Sequence, residues 1–194
     1  QNLLIADSIS KYYSINIKSG ELNWSNNGNY SFNSEIKKTG SKFFVIDYKN
    51  ILRSFNLNDG TELWNFKTED SFVMSDSKNS LIIVGNLVIF NNSIGDITAV
   101  DLETGLITWQ LPTQSSNIIN ESYSFINSQL VADENSIYFS NNRNEFYSVD
   151  LTEGVIKWMN KINSTLTPIL VNDFIFTISE DGFLITIQKE QGNI

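Results

Sequence analysis

The sequence predicts an all-β fold of repeated four-stranded antiparallel sheets, on three observations. Four stretches, 14–24, 54–64, 99–109 and 148–158, share one pattern: a small residue, Asn or Asp two places on, Gly four further, and Trp four after the Gly. All four tryptophans of the chain fall at that last place. Around these marks the apolar residues alternate with period two, and no window of helical length holds a 3.6-residue period. Successive tryptophans lie 40, 45 and 49 residues apart, the spacing of the blades of a β-propeller.

Within each repeat the residues before the Gly read as a strand. Tyr147, Val149 and Leu151, or Val100 and Leu102, occupy one parity, and Ser or Ala with Asp or Asn the other. After the Gly a second alternation begins, and Leu22 with Trp24, Ile107 with Trp109 and Ile156 with Trp158 are expected to share a face of the returning strand. The connection, such as Glu103-Thr104-Gly105, suits a type I turn closed by a left-handed glycine. The Asn or Asp before it can accept from amides of the turn. The small residue leaves room for an indole from the adjoining strand or the next repeat. The motif residues Asn16, Gly20, Trp24, Asn56, Gly60, Trp64, Asp101, Gly105, Trp109, Asp150, Gly154 and Trp158 are therefore assigned to packing rather than to a ligand.

In chain order, the first unit opens on 3–6 and 12–17 and lacks its first strand. The third adds strands at 80–84 and 87–91 before its hairpin, and the fourth at 129–132 and 136–140. Segments 167–171, 174–178 and 183–187 begin a fifth unit, whose Gly192 has no Trp after it. Calling the strands of a full unit A to D, the repeats run roughly 1–26, 33–67, 78–111, 127–160 and 167–194. Three complete blades then stand between two incomplete ones, within a single domain spanning 1–194.

Composition narrows the function. The 194 residues can bury a substantial core without staples. With no Cys and no His, the chain has no disulfide, thiolate zinc site, Ser-His-Asp arrangement or imidazole ligand. A net charge of −9 argues against nucleic acid or an anionic membrane as partner. No apolar run is long enough to span a bilayer. Opening on Gln1 rather than Met suggests a processed or excised piece.

The pattern resembles the tryptophan-docking motif of pyrroloquinoline-quinone-type propeller repeats over nearly the whole chain. Ala99, Asp101, Thr104, Gly105 and Trp109 fit best; Glu62 matches an acidic position two after the Gly from which Leu22, Ile107 and Ile156 depart. That family includes quinoprotein alcohol dehydrogenases and an outer-membrane assembly lipoprotein, typically with eight blades, so the resemblance implies roughly half of a ring. A dehydrogenase of the family would need a quinone, a calcium ion in an oxygen cage and a catalytic carboxylate, and commonly carries adjacent cysteines. The acidic pairs Glu69-Asp70, Asp133-Glu134 and Glu180-Asp181 fall at turns or connectors without the spacing of a calcium loop. No catalytic, cofactor or metal residue is assigned, and neither quinone nor calcium is expected to bind.

The expectation is a non-catalytic interaction scaffold. The resemblance implies a periplasmic or outer-membrane-associated setting in a bacterium, with an assembly complex as protein partner. A fragment of a quinone-dependent dehydrogenase, or an extracytoplasmic sensor domain, stands as the alternative. Antiparallel strands place the B–C turns and D–A connectors on one face and the motif turns on the other. The long connectors 68–77 and 113–128 carry Phe72, Val73, Met74, Ile118, Ile119 and Tyr123, which either cap the blade cores or form a partner face. The two incomplete blades leave open ends through which the chain could self-associate.

Overall fold

The computed structural model describes residues 2–68, 78–113 and 125–194. The described residues form five antiparallel sheets and no helix. Sheet 1 holds β1 (Asn2–Ala6), β2 (Lys11–Asn16) and β3 (Leu22–Asn27). Sheet 2 holds β4 (Lys37–Thr39), β5 (Lys42–Ile46), β6 (Ile51–Asn56) and β7 (Glu62–Lys67). Sheet 3 holds β8 (Leu81–Val84), β9 (Leu87–Asn91), β10 (Ile97–Asp101) and β11 (Ile107–Leu111). Sheet 4 holds β12 (Val131–Ala132), β13 (Ser136–Asn141), β14 (Glu145–Asp150) and β15 (Ile156–Asn160); sheet 5 holds β16 (Ile169–Val171), β17 (Phe174–Ile178) and β18 (Leu184–Gln188). Every strand pairs with its sequence neighbour within a sheet, and the five sheets do not close a ring.

The core lies between sheets. Four apolar clusters fill the four successive interfaces: Tyr12 against Phe43, Val45 and Phe55; Phe44, Ile46 and Leu52 against Val88, Phe90 and Val100; Ile89, Ile97 and Trp109 against Phe139, Tyr147 and Val149; Tyr138 and Phe146 against Ile175 and Ile187. The middle strands of sheets 2, 3 and 4 are therefore buried on both faces, and runs such as Phe43–Ile46 and Phe146–Val149 are continuously buried rather than alternating with exposed positions. Ser14, Ser54, Ala99 and Ser148 are fully buried, and each stands directly opposite its own sheet's Trp.

That pairing corrects one expectation. Cross-strand partners point to the same face, and a bulge puts Trp24 opposite Ser14 but Leu22 opposite Ile15. Ser14 and Ile15 face opposite ways, so Leu22 and Trp24 do too. The same shift separates Ile107 from Trp109 and Ile156 from Trp158. Leu22, Ile107 and Ile156 are all about half exposed.

Each Trp reaches the following sheet. A Cβ built on Gly60, Gly105 or Gly192 would stand 2.5, 2.6 or 2.7 Å from the indole of Trp24, Trp64 or Trp158, and Trp109 crowds Gly154 in the same way. All four glycines have φ between 70° and 73°, so they answer two demands at once, a left-handed turn and a flat seat for a ring. The indole Nε1–H of Trp24, Trp109 and Trp158 donates to the carbonyls of Leu57, Leu151 and Lys189 at 3.2, 3.0 and 2.7 Å. Trp64 Nε1 makes no such bond among the described residues.

Candidate functional site

The chain's rims are its two sets of turns. On the motif rim, Asp101 Oδ1 accepts the amides of Glu103 and Thr104 and the Thr104 hydroxyl. These bonds, the Thr104 hydroxyl first, hold its carboxyl below the usual carboxylate range. Asp150 and Asn16 accept two turn amides each, and Asn56 accepts one. Glu62, in β7, receives Arg53 at 2.8 Å, while the Arg53 Nε donates to the fully buried Asp47 at 2.9 Å. Glu62 thus completes an Asp47–Arg53–Glu62 charge triad within sheet 2, a structural use of the acidic motif position.

On this rim a cavity of about 400 Å³ opens between sheets 4 and 5, lined by Asp133, Tyr138, Lys157 and Lys189. Burial pushes the Asp133 carboxyl up, but amide donors from Asn135 and Ser136, the Tyr138 hydroxyl at 3.1 Å and Lys189 at 3.6 Å outweigh it and hold it below the usual range. Burial, with Asp133 beside it, pushes the Tyr138 phenol up to about 12. Asp133, Lys157 and Lys189 are paired, Lys157 reaching Asp150 at 3.1 Å, and Glu190 also lines the cavity. The Asp133–Lys189 pair ties sheet 4 to sheet 5. Glu180 is similarly occupied, accepting from the Thr165 hydroxyl. Among the described residues no three His, Cys, Asp or Glu side chains cluster as metal ligands.

The opposite rim, built of B–C turns and D–A connectors, is the candidate functional surface. It has its own repeated turn, which sequence reasoning missed. Asp7, Asp47, Asn92, Asn141 and Ser179 each open a B–C turn, and three residues later the chain adopts positive φ at Ser10, Asn50, Gly95, Asn144 and Gly182. Asp7, Asp47 and Asn92 each accept the amides two and four residues on. The first four lie 40, 45 and 49 residues apart, the tryptophan spacing again. That shared interval was the available signal, obscured by the abundance of Asn and Asp elsewhere.

Buried polar contacts tie these turns together. Asn50 donates to Ser93 Oγ at 2.7 Å, accepts from Asn79 Nδ2 at 3.1 Å, and its carbonyl takes the Thr68 hydroxyl. A buried amide in a strained left-handed position persists only where its partners fix it. On this rim the exposed large apolar residues among the described ones include Ile9 by 80%, Phe183 by 68%, Leu166 by 53%, and Tyr30, Tyr48 and Ile126 by about 40%. Lys49 Nζ stands over the Tyr30 ring at 5.8 Å. The motif rim also exposes Leu106 and Val155. Phe72, Met74, Ile118, Ile119 and Tyr123 lie outside the described residues, as do Val73, Glu69 and Asp70.

A family model described as outer membrane protein assembly factor BamB matches residues 1–194. The chain belongs to this family. No curated protein sequence matches it. Among solved structures, BamB from Moraxella catarrhalis superposes with a TM-score of 0.82 at 18% identity, covering 100% of this chain and 59% of that one. A europium-containing methanol dehydrogenase gives 0.75 at 11% identity over 99% of this chain and 48% of its own, and the computationally designed Ika8 protein 0.73 at 10% identity over 96% and 55%. At such identities the likeness shows the fold, shared by BamB and quinoprotein dehydrogenases alike, and this BamB-family chain spans a little over half the length of the first two structures it matches.

Proposed function

We propose that this chain is a non-catalytic protein-interaction scaffold of the BamB type, acting in outer-membrane protein assembly at the periplasmic face of a bacterial outer membrane. The observation that carries this reading is the match of the assembly-factor family model to all 194 residues. The chemistry of the molecule supports it. The B–C turns and D–A connectors hold Ile9, Tyr48 and Leu166 out to solvent, and exposed apolar and aromatic side chains suit a protein surface. A net charge of −9 disfavours nucleic acid.

The likeness to the methanol dehydrogenase favours a second reading, a fragment of a quinone-dependent dehydrogenase. Two measurements separate them. A photo-crosslinker placed at Ile9, Tyr48 or Leu166 in the bacterium of origin should capture outer-membrane assembly proteins. Thermal melts with excess pyrroloquinoline quinone and calcium should match melts without them, because a ligand of the native state raises its stability by mass action. A rise of several degrees, with no crosslinks from the rim, would replace the scaffold by the dehydrogenase.

A further inference from the structure

The motif rim changes character along the chain. Directly after the motif glycine stand Glu21-Leu22 in sheet 1 and Thr61-Glu62 in sheet 2, but Leu106-Ile107 in sheet 3 and Val155-Ile156 in sheet 4. Leu106 is 69% exposed, Val155 52%, Ile107 50% and Ile156 46%. The two apolar pairs are neighbours: Trp109 lies two residues beyond Ile107 on β11, and its indole covers Gly154, next to Val155. The turn itself does not call for them, since Gly20 and Gly60 close the same left-handed turn ahead of Glu21 and Thr61. Single exposed apolar residues are ordinary, whereas four side by side form a patch. The charge on the same rim is acidic. Lys42, Lys157 and Lys189 are each held by a rim carboxylate, of Glu103, Asp150 and Asp133. Glu134, Glu153, Asp173 and Glu190 are exposed and form no ion pair among the described residues. Lys42 crosses from sheet 2 to Glu103 of sheet 3 at 2.7 Å, so a carboxylate beside the patch already takes an ammonium from outside its own sheet.

We propose that this patch docks a short segment of a partner protein that combines Lys or Arg with large apolar side chains. The apolar side chains cover Leu106, Ile107, Val155 and Ile156, and the cations meet Glu153 and its acidic neighbours. Charge selects this occupant. A second copy of this chain, at net charge −9, an anionic membrane and nucleic acid are each repelled by an acidic rim. An uncharged apolar segment would cover the patch and gain nothing from the carboxylates around it. The site lies on the rim opposite Ile9, Tyr48 and Leu166 and does not depend on the partner proposed there.

The probe is the synthetic pentapeptide Lys-Leu-Lys-Leu-Lys, titrated into the whole chain at low salt. Amide resonances of the protein should shift saturably, with the shifts concentrated at residues 103–107 and 152–157. The double variant Leu106→Ser with Val155→Ser should weaken binding about tenfold, and Glu153→Lys should weaken it as far. Added salt should weaken it as well, because exposed charges are screened beyond about 10 Å at 0.1 M ionic strength. Ile9→Ser with Glu180→Lys, on the opposite rim, should leave it unchanged. These positions are all exposed, so an unchanged melting midpoint shows that each variant folds. No saturable shift, equal binding of Lys-Ser-Lys-Ser-Lys or of Glu-Leu-Glu-Leu-Glu, or shifts centred on the opposite rim would overturn the docking site. Crosslinks from Ile9, Tyr48 and Leu166 would survive that failure, so the scaffold reading is judged separately.

Discussion

Three tyrosines show how burial at single residues writes itself into pH dependence. Tyr147 is pushed above its ordinary value by burial and then by Glu145, which accepts its hydroxyl at 2.7 Å. Tyr138 is pushed up to about 12, and Tyr12, whose hydroxyl donates to the Gly60 carbonyl, is raised by burial and by Glu62. The sign follows from which state loses its proton first. Below about pH 10 both folded and unfolded chains keep these phenols neutral, so their contribution is fully present. As pH rises from 10 towards 12 the unfolded chain ionises first and stability falls. The urea midpoint should therefore drop across that window, and tyrosinate absorbance of the native chain should rise with a late component from these three of its seven tyrosines. A single transition near pH 10 for all seven would contradict the burial.

At the scale of the element, the docking of a strand's Trp on the next sheet's glycine is open to dissection. Trp109 is only 8% exposed, and truncating it to Ala should cost roughly 3–5 kcal/mol, the range for a deleted buried aromatic. Gly154→Ala should cost about 1–2 kcal/mol for a side chain at left-handed φ, plus about 1–3 kcal/mol for overpacking against that indole. Gly20→Ala suffers the same backbone strain with nothing above it, so it serves as the reference. Urea midpoints of the two glycine variants should differ by the overpacking alone, and that difference should vanish when Gly154→Ala is combined with Trp109→Ala. Equal costs for Gly20→Ala and Gly154→Ala would mean that the seat carries no docking energy.

For the whole molecule, the exposed outer faces of the end sheets are the open question. Sheet 5 presents Ile169, Val171, Phe174, Ile178 and Leu184, each between 44% and 69% exposed, and sheet 1 presents Leu3 and Leu22. Each is the kind of face that, inside the chain, is covered by a neighbouring sheet. Both sheets have three strands, which leaves an edge of β1 and of β18 without a partner strand. We expect the chain to self-associate through these ends as concentration rises, and light scattering over a dilution series should show mass growing with concentration. A monodisperse monomer at high concentration would mean that the end faces tolerate water.

What could be read before any coordinates was the periodic part. Alternation of period two, a Gly–Trp pair every 40 to 49 residues and Asn or Asp ahead of each Gly are local demands of strands and turns, so they mark the all-β class and the stacked blades directly in the chain. Three things needed the tertiary structure. The bulge that turns Leu22 away from Trp24 depends on the pairing register of two strands, which apolar alternation alone does not encode. The second turn series, from Asp7 to Ser179, stands out only when its amides and its positive φ residues are seen in space, because Asn and Asp are common throughout. The vacant place at Gly20 shares with its four counterparts a glycine at positive φ bonded back to the residue four before it; what distinguishes it is the sheet that does not lie beside it, and contact between sheets is a property of the assembled fold.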